Sequence, residues 1–418
     1  MSASPVDSDP AKLRLPLWIF LLVLPIYAAL AVGIHSTDLI WDEGRYLEGA
    51  AQLAKGTFPP DEHRGFVNGP GYPLFLSAFV QLNAPLLSMR IANGLLIALA
   101  SMLIFITARP SAGPVWAAVG AIGLALHPLL LRVGPYLMSE ALTIFTLALF
   151  AWASAHLLRR SPRSWLWIGI GTLALAWLIL TRVFFGYVAM AMIPTCIVLL
   201  VLIRPWREPL RNLTAVYLGG LLLCLPYLNH TFEKTGQFPC WSTNSGELFY
   251  WLTSTHEGEN GSWFSPQDVA ELPHLSRNHG AFYEHVMELP YLKREEQFKQ
   301  AAKAHLESNP KGVFYNWLCN IPRLAFGFPR SFVAESPVTF IVIAASGPVI
   351  LFSLASLLLT LRHWRETDPV PLMLGLMALI YIGGSTLAPA QPRYLVMVFP
   401  LLWIVSTITL KRYLTVRW

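Results

Sequence analysis

The sequence predicts an all-α polytopic membrane protein with about ten transmembrane helices, and three observations support this prediction. The 418 residues are 55% hydrophobic but only 13% charged, whereas soluble domains carry about 25% charged residues. The mean hydropathy is +0.50. Uncharged apolar runs recur that are long enough, at roughly 20 residues each, to cross a hydrocarbon layer about 30 Å thick. This composition excludes a nucleic-acid-binding module despite the net charge of +6, because the basic residues are too sparse to form a patch.

Ten apolar runs meet the length needed for a membrane span. The first is interpreted as a retained helix, because it is long for the apolar part of a signal peptide and lacks a convincing cleavage site. The runs cover residues 15–34, 91–108, 114–131, 141–158, 165–181, 183–203, 212–228, 336–361, 370–388 and 394–410.

The distribution of lysine and arginine predicts how the chain is oriented, since these residues collect in cytoplasmic loops. Alternate short loops form a basic set and an opposite set with one arginine each. Both termini are therefore expected in the cytoplasm, and two long segments outside. The opposite, outer set contains Arg132, Arg182 and Arg393.

This topology divides the chain into three regions. Residues 1–228 form an N-terminal transmembrane module that includes a first outer segment, residues 35–90. Residues 229–335 form an outer cap, and residues 336–418 carry the C-terminal transmembrane helices. The cap holds half of all the acidic residues and is too long for a simple connection.

Interfacial and cap helices complete the predicted fold. The apolar stretch 70–82 is too short to cross the membrane, so it is interpreted as a helix lying in the interface. Residues 291–308 are typical of a charged amphipathic helix, and residues 311–328 of an interfacial one. The outer cap is therefore expected to be mostly helical.

Two adjacent carboxylates, Asp42 and Glu43, follow the first apolar run. Asp42 is suitable as the N-cap of a short helix that ends at Gly56. The alternative is a functional site, because ionisable groups near the membrane are costly and usually serve one. A carboxylate there could act as a general base or as a metal ligand.

Three further charged residues fall on the same predicted face. Glu140 could favour the N-terminus of its helix through the dipole or belong to the site. Arg182 lies in a tight turn, and Arg393 precedes the last apolar run. Each arginine could anchor the chain at the interface or bind a phosphate, whose oxygens match the guanidinium fork.

The cap contains cysteines, histidines and aromatic residues with open alternatives. Cys240 and Cys319 could pair if the outer compartment is oxidising. The sequence contains no CxxC pair, so it does not predict a zinc ribbon. The spacings among His256, His274, His279 and His285 match no common metal pattern. The cap aromatics are interpreted mainly as core, with stacking on sugar rings as the alternative. These aromatics are Trp241, Phe249, Tyr250, Trp251, Trp263 and Phe264.

Several short motifs occur in an order that resembles the GT-C superfamily of integral-membrane glycosyltransferases. The similarity is to the family 39 relatives, which include protein O-mannosyltransferases and lipid A aminoarabinose transferases. The motifs are Trp41-Asp42-Glu43-Gly44-Arg45-Tyr46, Asn68-Gly69-Pro70-Gly71-Tyr72-Pro73-Leu74, Met89-Arg90-Ile91-Ala92-Asn93, Met138-Ser139-Glu140-Ala141-Leu142, Leu180-Thr181-Arg182, Leu225-Pro226-Tyr227-Leu228-Asn229, Thr235-Gly236-Gln237-Phe238, Ser242-Thr243-Asn244-Ser245-Gly246, Ala304-His305-Leu306-Glu307-Ser308-Asn309-Pro310 and Pro392-Arg393-Tyr394.

The resemblance implies transfer of a sugar from a polyprenyl-phosphate donor to an acceptor hydroxyl on the extracytoplasmic face. It places the catalytic carboxylate of the family at Asp42, with Glu43 beside it. Asp42 is expected to act as a general base in a transfer that inverts the anomeric carbon of the sugar. Glu140 matches a position that helps to hold a divalent metal, Mg²⁺ or Mn²⁺, in metal-using relatives, together with Asp42. The aminoarabinose transferases carry a lysine before the first-loop prolines, and this chain has Val67-Asn68-Gly69-Pro70 there.

The resemblance also implies ligands and partners. The acceptor is a lipid, a glycan or a protein, the membrane is bacterial, and neither a nucleotide cofactor nor nucleic acid is expected. The implied donor-phosphate ligands are Arg90, Arg182 and Arg393, and the implied substrate-binding residues are Tyr46, Tyr72 and Tyr394.

Two other classes of protein remain as alternatives. A lipid-linked sugar transporter or flippase would be expected to show internal repeats and ionisable residues near the middle of the membrane. The charged candidates instead fall on one face. A polysaccharide polymerase or ligase would share the lipid donor and the large outer segment, but would not be expected to need Asp42.

Overall fold

The computed structural model describes residues 10–34, 39–58, 65–332, 337–364 and 368–413. These residues form α-helices joined by turns, with no strand among them. Residues 35–38 and 59–64 of the first outer segment and residues 333–335 of the cap lie outside the described residues. The fold is all-α, as the sequence predicts.

The N-terminal helices alternate between long apolar elements and shorter outer ones. They are α1 (Pro10–Gly33), α2 (Glu43–Ala54), α3 (Gly71–Gln81), α4 (Leu86–Ala125), α5 (Pro128–Val133), α6 (Glu140–Leu158), α7 (Ser164–Thr181), α8 (Phe184–Leu202), α9 (Arg207–Leu223) and α10 (Leu225–Thr235). Helix α4 packs against α1 and α6, and α7 lies between α6 and α9.

The remaining helices form the cap and the C-terminal bundle. They are α11 (Ser245–Thr253), α12 (Pro266–Glu271), α13 (Pro273–Met287), α14 (Tyr291–Ser308), α15 (Pro310–Phe326), α16 (Pro337–Arg362), α17 (Pro369–Ser385), α18 (Pro392–Val396) and α19 (Phe399–Tyr413). Helix α19 packs back onto α4, which joins the two ends of the chain in one bundle.

Helix α4 contains the predicted span 91–108 and most of the span 114–131, the rest of which falls in and before α5. Its helical geometry breaks at Gly113, where φ is 78° and ψ is 171°. Only glycine adopts this backbone conformation readily, and Pro110 and Pro114 flank the break. The two spans therefore appear as two arms of one bent element.

The predicted number of ten spans is not confirmed. Six helices in the described ranges are long and apolar enough to cross a membrane, and the pair Arg204–Leu223 and Leu225–Thr235, bent by 45°, is a candidate seventh. Helix α17 is apolar but shorter. The last predicted span, 394–410, is interrupted between α18 and α19, so it contains no single helix of spanning length. The chain is an integral membrane protein by the length and apolarity of these helices.

The cap has a hydrophobic core of its own. Tyr250 and Trp251 of α11 pack with residues of α13 and α14, among them Tyr283 and Phe298. Burial of Tyr250 and Trp251 supports their interpretation as core, since each ring removes a large apolar area from water. Phe249 and Trp263 are instead exposed, so the interpretation as core is wrong for these two. Helix α14 has the predicted bounds, 291–308, and α15 begins and ends within two residues of the prediction.

A buried polar network closes this core. The His279 imidazole contacts the Tyr250 hydroxyl at 2.6 Å through Nδ1 and the Glu259 carboxylate at 2.8 Å through Nε2. The Ser254 hydroxyl donates to the other oxygen of Glu259. Burial alone would raise the pKa of Glu259, but these hydrogen bonds hold that pKa below its ordinary value. The network is thus a structural one.

Neither the cysteines nor the histidines form the pairs or clusters considered above. Cys240 and Cys319 are both free and buried. Within the described part of the chain, no group of three or more His, Cys, Asp or Glu residues could hold a metal ion.

Candidate active site

Asp42 stands at the first turn of α2 but does not cap it. Its side chain makes no hydrogen bond to the helix N-terminus. One carboxylate oxygen accepts from Arg45 Nη2 at 2.5 Å and the other from Arg393 Nη1 at 3.1 Å. The carboxylate remains 20% exposed. Of the two alternatives, the contacts therefore favour a site over a cap.

Glu43, the neighbouring carboxylate, is fully buried. Its Oε1 accepts from the Leu137 backbone N–H at 2.8 Å and lies 3.4 Å from Arg90 Nη2. Its Oε2 accepts from the Ile40 N–H at 3.0 Å. These contacts tie α2 to α4 and to the approach of α6. They favour a positioning role for Glu43 and Arg90 over the predicted catalytic and phosphate-binding roles.

Glu140 and Arg182 form a further ion pair, which involves neither Asp42 nor Glu43. Arg182 Nη2 donates to Glu140 Oε1 at 2.9 Å, and Glu140 is fully buried. Because α7 ends at Thr181 and α8 begins at Phe184, Arg182 is held in a very short link. This ion pair gives Glu140 a role beyond the predicted stabilisation of the N-terminus of α6 through the helix dipole.

Three buried polar atoms of the Asp42–Arg393 and Glu140–Arg182 ion pairs have no hydrogen-bond partner among the described residues. They are Glu140 Oε2, Arg182 Nε and Arg393 Nε. An unsatisfied buried N–H costs roughly 1–3 kcal/mol, so natural structures keep such groups where a ligand or water completes them. The two arginine donors are of the kind that binds phosphate.

The three predicted tyrosines surround these charges. Tyr46 is buried and donates to the Ser139 hydroxyl at 3.1 Å, and its ring stands edge-on to Tyr72 at 4.9 Å. Tyr72 exchanges hydrogen bonds with Asn93. The Tyr394 ring lies 5.6 Å from the Arg393 guanidinium. Tyr46 and Tyr72 therefore form a wall of the site, and Tyr394 supports Arg393.

The Asn-Gly-Pro-Gly motif brings the first outer segment against the end of α7. A methyl group on Gly69 would stand 2.0 Å from the Leu180 carbonyl oxygen, and one on Gly71 would stand 2.6 Å from the Thr181 nitrogen. Neither position can accommodate a side chain, because the atoms that the side chain would meet belong to the backbone of α7. The motif thus sets how closely the first outer segment approaches the Arg182 link.

We expect Gly71→Ala to destabilise the protein by about 1–3 kcal/mol, the usual cost of overpacking, and to displace Arg182. Thermal unfolding in detergent measures the first effect. Gly169→Ala, in α7 and with open space at its Cβ position, is the control for a glycine-to-alanine change without a close approach. Equal unfolding midpoints for the two variants would contradict the close approach.

Two contributors were not singled out from the sequence. Arg45 follows Asp42 by three residues, a spacing that predicts contact on a helix. Asn320 of α15 carried no sequence signal. Its amide donates to the carbonyls of Thr386 and Ala388 at 3.2 and 2.9 Å, so the cap holds the loop that leads to Arg393.

A cavity of about 680 Å³ begins at Gly44 and Arg45, in the first turn of α2 after Asp42, and extends between α2 and the cap. It is of the size of a small-molecule site. The polar and aromatic lining includes Arg45, Tyr46, Asn68, Thr243, Glu247 and Arg294.

Glu247 is a carboxylate of this cavity whose ionisation is altered by burial. Burial raises its pKa from 4.5 to about 6, although the Tyr283 hydroxyl and Arg294 act in the opposite direction. Glu295, also near, raises it further. The folded protein therefore binds the Glu247 proton more tightly than the unfolded chain does.

The linked stability is fully present below pH 4.5 and is lost as the pH rises through about 6. Glutamine does not ionise, so we expect Glu247→Gln to stabilise the protein at about pH 8 by about 1–2 kcal/mol, allowing for solvent screening. The gain should shrink towards about pH 5. Unfolding midpoints at the two pH values measure it, and a gain independent of pH would contradict the raised pKa.

The residues proposed for a metal are a poor fit to a divalent cation. Both oxygens of Asp42 are paired with arginines, and Glu140 is paired with Arg182 through Oε1, which leaves Glu140 Oε2 as the one oxygen of the two carboxylates without a partner among the residues described. A cation held by both residues would have to compete with guanidinium groups that supply the same positive charge.

The chain matches known families and structures as follows. The dolichyl-phosphate-mannose-protein mannosyltransferase family matches residues 67–230. No curated protein sequence matches the chain. The archaeal oligosaccharyltransferase AglB of Archaeoglobus fulgidus, in complex with an inhibitory peptide and a dolichol-phosphate, is 14% identical with a TM-score of 0.50. The match covers 94% of this chain and 50% of that one.

Two further structures are similar. The apo form of the Archaeoglobus fulgidus oligosaccharyltransferase gives a TM-score of 0.51 at 14% identity, over 94% of this chain and 50% of that one. ArnT from Cupriavidus metallidurans, bound to undecaprenyl phosphate, gives 0.43 at 13% identity, over 97% and 78%. The chain spans about half the length of the oligosaccharyltransferases it matches, and the likeness to them is one of fold.

Proposed function

We propose that this chain, a membrane glycosyltransferase of the GT-C superfamily, transfers a sugar from a polyprenyl-phosphate donor to an acceptor hydroxyl on the extracytoplasmic face, with inversion. The observation that carries the proposal is the convergence of Asp42, Arg393, Arg182 and Glu140. Asp42 precedes α2, Glu140 begins α6, Arg182 follows α7 and Arg393 belongs to α18, yet their charges lie in one site. The two arginines keep unsatisfied N–H groups there.

The arginines are suited to the donor phosphate. A structurally similar protein is described in complex with a dolichol-phosphate, which supports a lipid-phosphate ligand for this fold. Arg393 and Arg182 each offer a buried Nε–H, and a guanidinium binds phosphate oxygens through two parallel hydrogen bonds. Their positive charge would stabilise the phosphate as the glycosidic bond breaks.

Asp42 is suited to act as the general base. In the proposed step, the acceptor oxygen forms a bond to the anomeric carbon while the bond from that carbon to the phosphate oxygen breaks. Asp42 takes the hydroxyl proton, and the polyprenyl phosphate leaves with the bonding electron pair. Attack from the face opposite the phosphate inverts the anomeric carbon.

The surrounding residues hold these groups in place. Glu43 and Arg90 fix the start of α2 and hence Asp42. Glu140 orients Arg182, and Asn320 fixes the loop before Arg393. A divalent metal is not part of the proposed step, because arginine already pairs with both candidate carboxylates.

The proposed location follows from the charge pattern of the loops. With lysine and arginine on the cytoplasmic side, the first outer segment and the cap face the extracytoplasmic compartment of a bacterial plasma membrane. The donor tail then stays in the bilayer while its phosphate meets the arginines at the outer surface.

Reconstitution tests the proposal against transport. Lipid extract from cells lacking the gene supplies the donor to liposomes that contain the purified protein, and envelope material from the same cells supplies the acceptor. Mass spectrometry should detect release of free polyprenyl phosphate only when both protein and acceptor are present. Movement of an intact sugar lipid between leaflets without that release would instead indicate a flippase.

A further inference from the structure

The cavity beside Asp42 has a wall of mixed charge. Arg45 and Arg294 contribute two guanidinium groups, and Glu48, Glu247 and Glu295 contribute three carboxylates. Among the described residues the wall is therefore slightly acidic. A strongly anionic ligand would meet three carboxylates, and an acyl chain would have to desolvate all of these charges.

Uncharged hydrogen-bonding groups lie between these charges. Asn68, Thr243 and Asn244 line the same cavity. Asn68 Nδ2, Thr243 Oγ1 and Arg294 Nε are buried and have no hydrogen-bond partner within the described ranges. These three groups come from the first outer segment, the start of α11 and α14, so a ligand that satisfied them would bridge the first outer segment and the cap.

Aromatic rings complete the lining. Phe58 and Phe66 lie on one side of the cavity, and Tyr291 and Phe298 belong to α14. A sugar ring presents apolar C–H groups on its faces and hydroxyl groups around its edge. Aromatic side chains match the faces, while side-chain amides, hydroxyls and carboxylates match adjacent hydroxyls as paired donors and acceptors.

We propose that this cavity is the acceptor site and that the acceptor is a neutral carbohydrate. The proposal rests on the transferase function proposed above. One sugar ring lies between the first outer segment and the cap, with Thr243 and Glu247 hydrogen-bonded to its hydroxyls. The reacting hydroxyl points towards Asp42, since the cavity begins at Gly44 and Arg45, within one helical turn of that carboxylate.

The two cap carboxylates that line the cavity, Glu247 and Glu295, differ in their hydrogen bonds within the protein. Glu295 accepts from the Ser245 hydroxyl at 2.6 Å and from the Gly246 N–H at 2.8 Å, so it fastens α11 to α14. Glu247 has only a long contact, 3.4 Å, from the Tyr283 hydroxyl. Glu247 is therefore the residue assigned to the ligand.

Saturation-transfer NMR on the purified full-length protein tests this assignment independently of turnover. The probes are three fractions released from the envelope of the host cells: neutral oligosaccharides, anionic oligosaccharides and tryptic peptides. We expect saturation of neutral oligosaccharides in the wild type and in Asp42→Asn. We expect about 3- to 10-fold weaker binding in Thr243→Val, which loses one neutral hydrogen bond, and a loss at least as large in Glu247→Gln, which replaces a charged acceptor by a neutral one.

The expected outcome separates binding from folding, because Glu247→Gln is expected to be more stable than the wild type at about pH 8. Glu307→Gln, at an exposed carboxylate of α14, is the matched control and should bind like the wild type. Absence of neutral-sugar saturation, equal binding by the cavity variants, or preferential saturation of peptides or anionic sugars would overturn the proposal. If the protein binds neutral sugars and Asp42→Asn still transfers at the wild-type rate, the acceptor site stands and only the role of Asp42 as general base is refuted.

Discussion

Replacing Asp42 by asparagine is expected to lower the rate of polyprenyl-phosphate release by about 10²- to 10⁴-fold, the usual contribution of a general base. Asparagine keeps the size of the side chain but cannot take the acceptor proton. Its contacts with Arg45 and Arg393 also lose their ionic character. Initial rates with the purified protein in liposomes measure the effect.

Two further variants give this prediction its controls. Asp42→Glu retains a carboxylate at a shifted position and should recover part of the rate. Glu307→Gln removes an exposed carboxylate of the cap and should behave like the wild type. Release by Asp42→Asn at the wild-type rate would assign the proton transfer to another group.

Replacing Arg182 by methionine is expected to have the largest effect on stability. The change leaves Glu140 fully buried without its guanidinium partner. Removing one member of a buried ion pair typically destabilises a protein by about 3–5 kcal/mol, because a charge stays in a poorly solvated place. Chemical or thermal unfolding in detergent should show this loss together with weaker donor binding.

The double variant Glu140→Gln with Arg182→Met separates the two consequences. It removes both charges, so most of the stability should return, whereas donor binding should stay weak because the guanidinium is still missing. A double variant as unstable as Arg182→Met would show that the pair does not set the stability. Restored donor binding in that variant would remove Arg182 from the phosphate site.

The fold could be predicted from the sequence where one physical constraint dominated. Long uncharged runs have to be helices in a membrane, because no water satisfies their backbone groups. The break at Gly113 coincides with the predicted boundary between the spans 91–108 and 114–131. The interruption between α18 and α19 was not predicted, because no charge or turn motif marks it within the apolar run 394–410.

The site was predictable in part, for a similar reason. Order along the chain and a common membrane face brought Asp42, Glu140, Arg182 and Arg393 into one hypothesis, and the structure places them together. It also separates two neighbours in sequence, since Asp42 is partly exposed and pairs with Arg393, whereas Glu43 is buried against Arg90. The contribution of Asn320 arises from the contact of α15 with the loop before α18, and no local pattern encodes such a contact.

Mass spectrometry of membrane lipids tests the central claim most directly. Cells that lack the gene are compared with the same cells carrying the wild-type chain, Asp42→Asn or Glu307→Gln at equal expression. The account predicts that one polyprenyl-phosphate sugar accumulates in the deletion and with Asp42→Asn, and not with the other two; the accumulated species then identifies the donor. Clearance of that species by Asp42→Asn as complete as by the wild type would contradict the account.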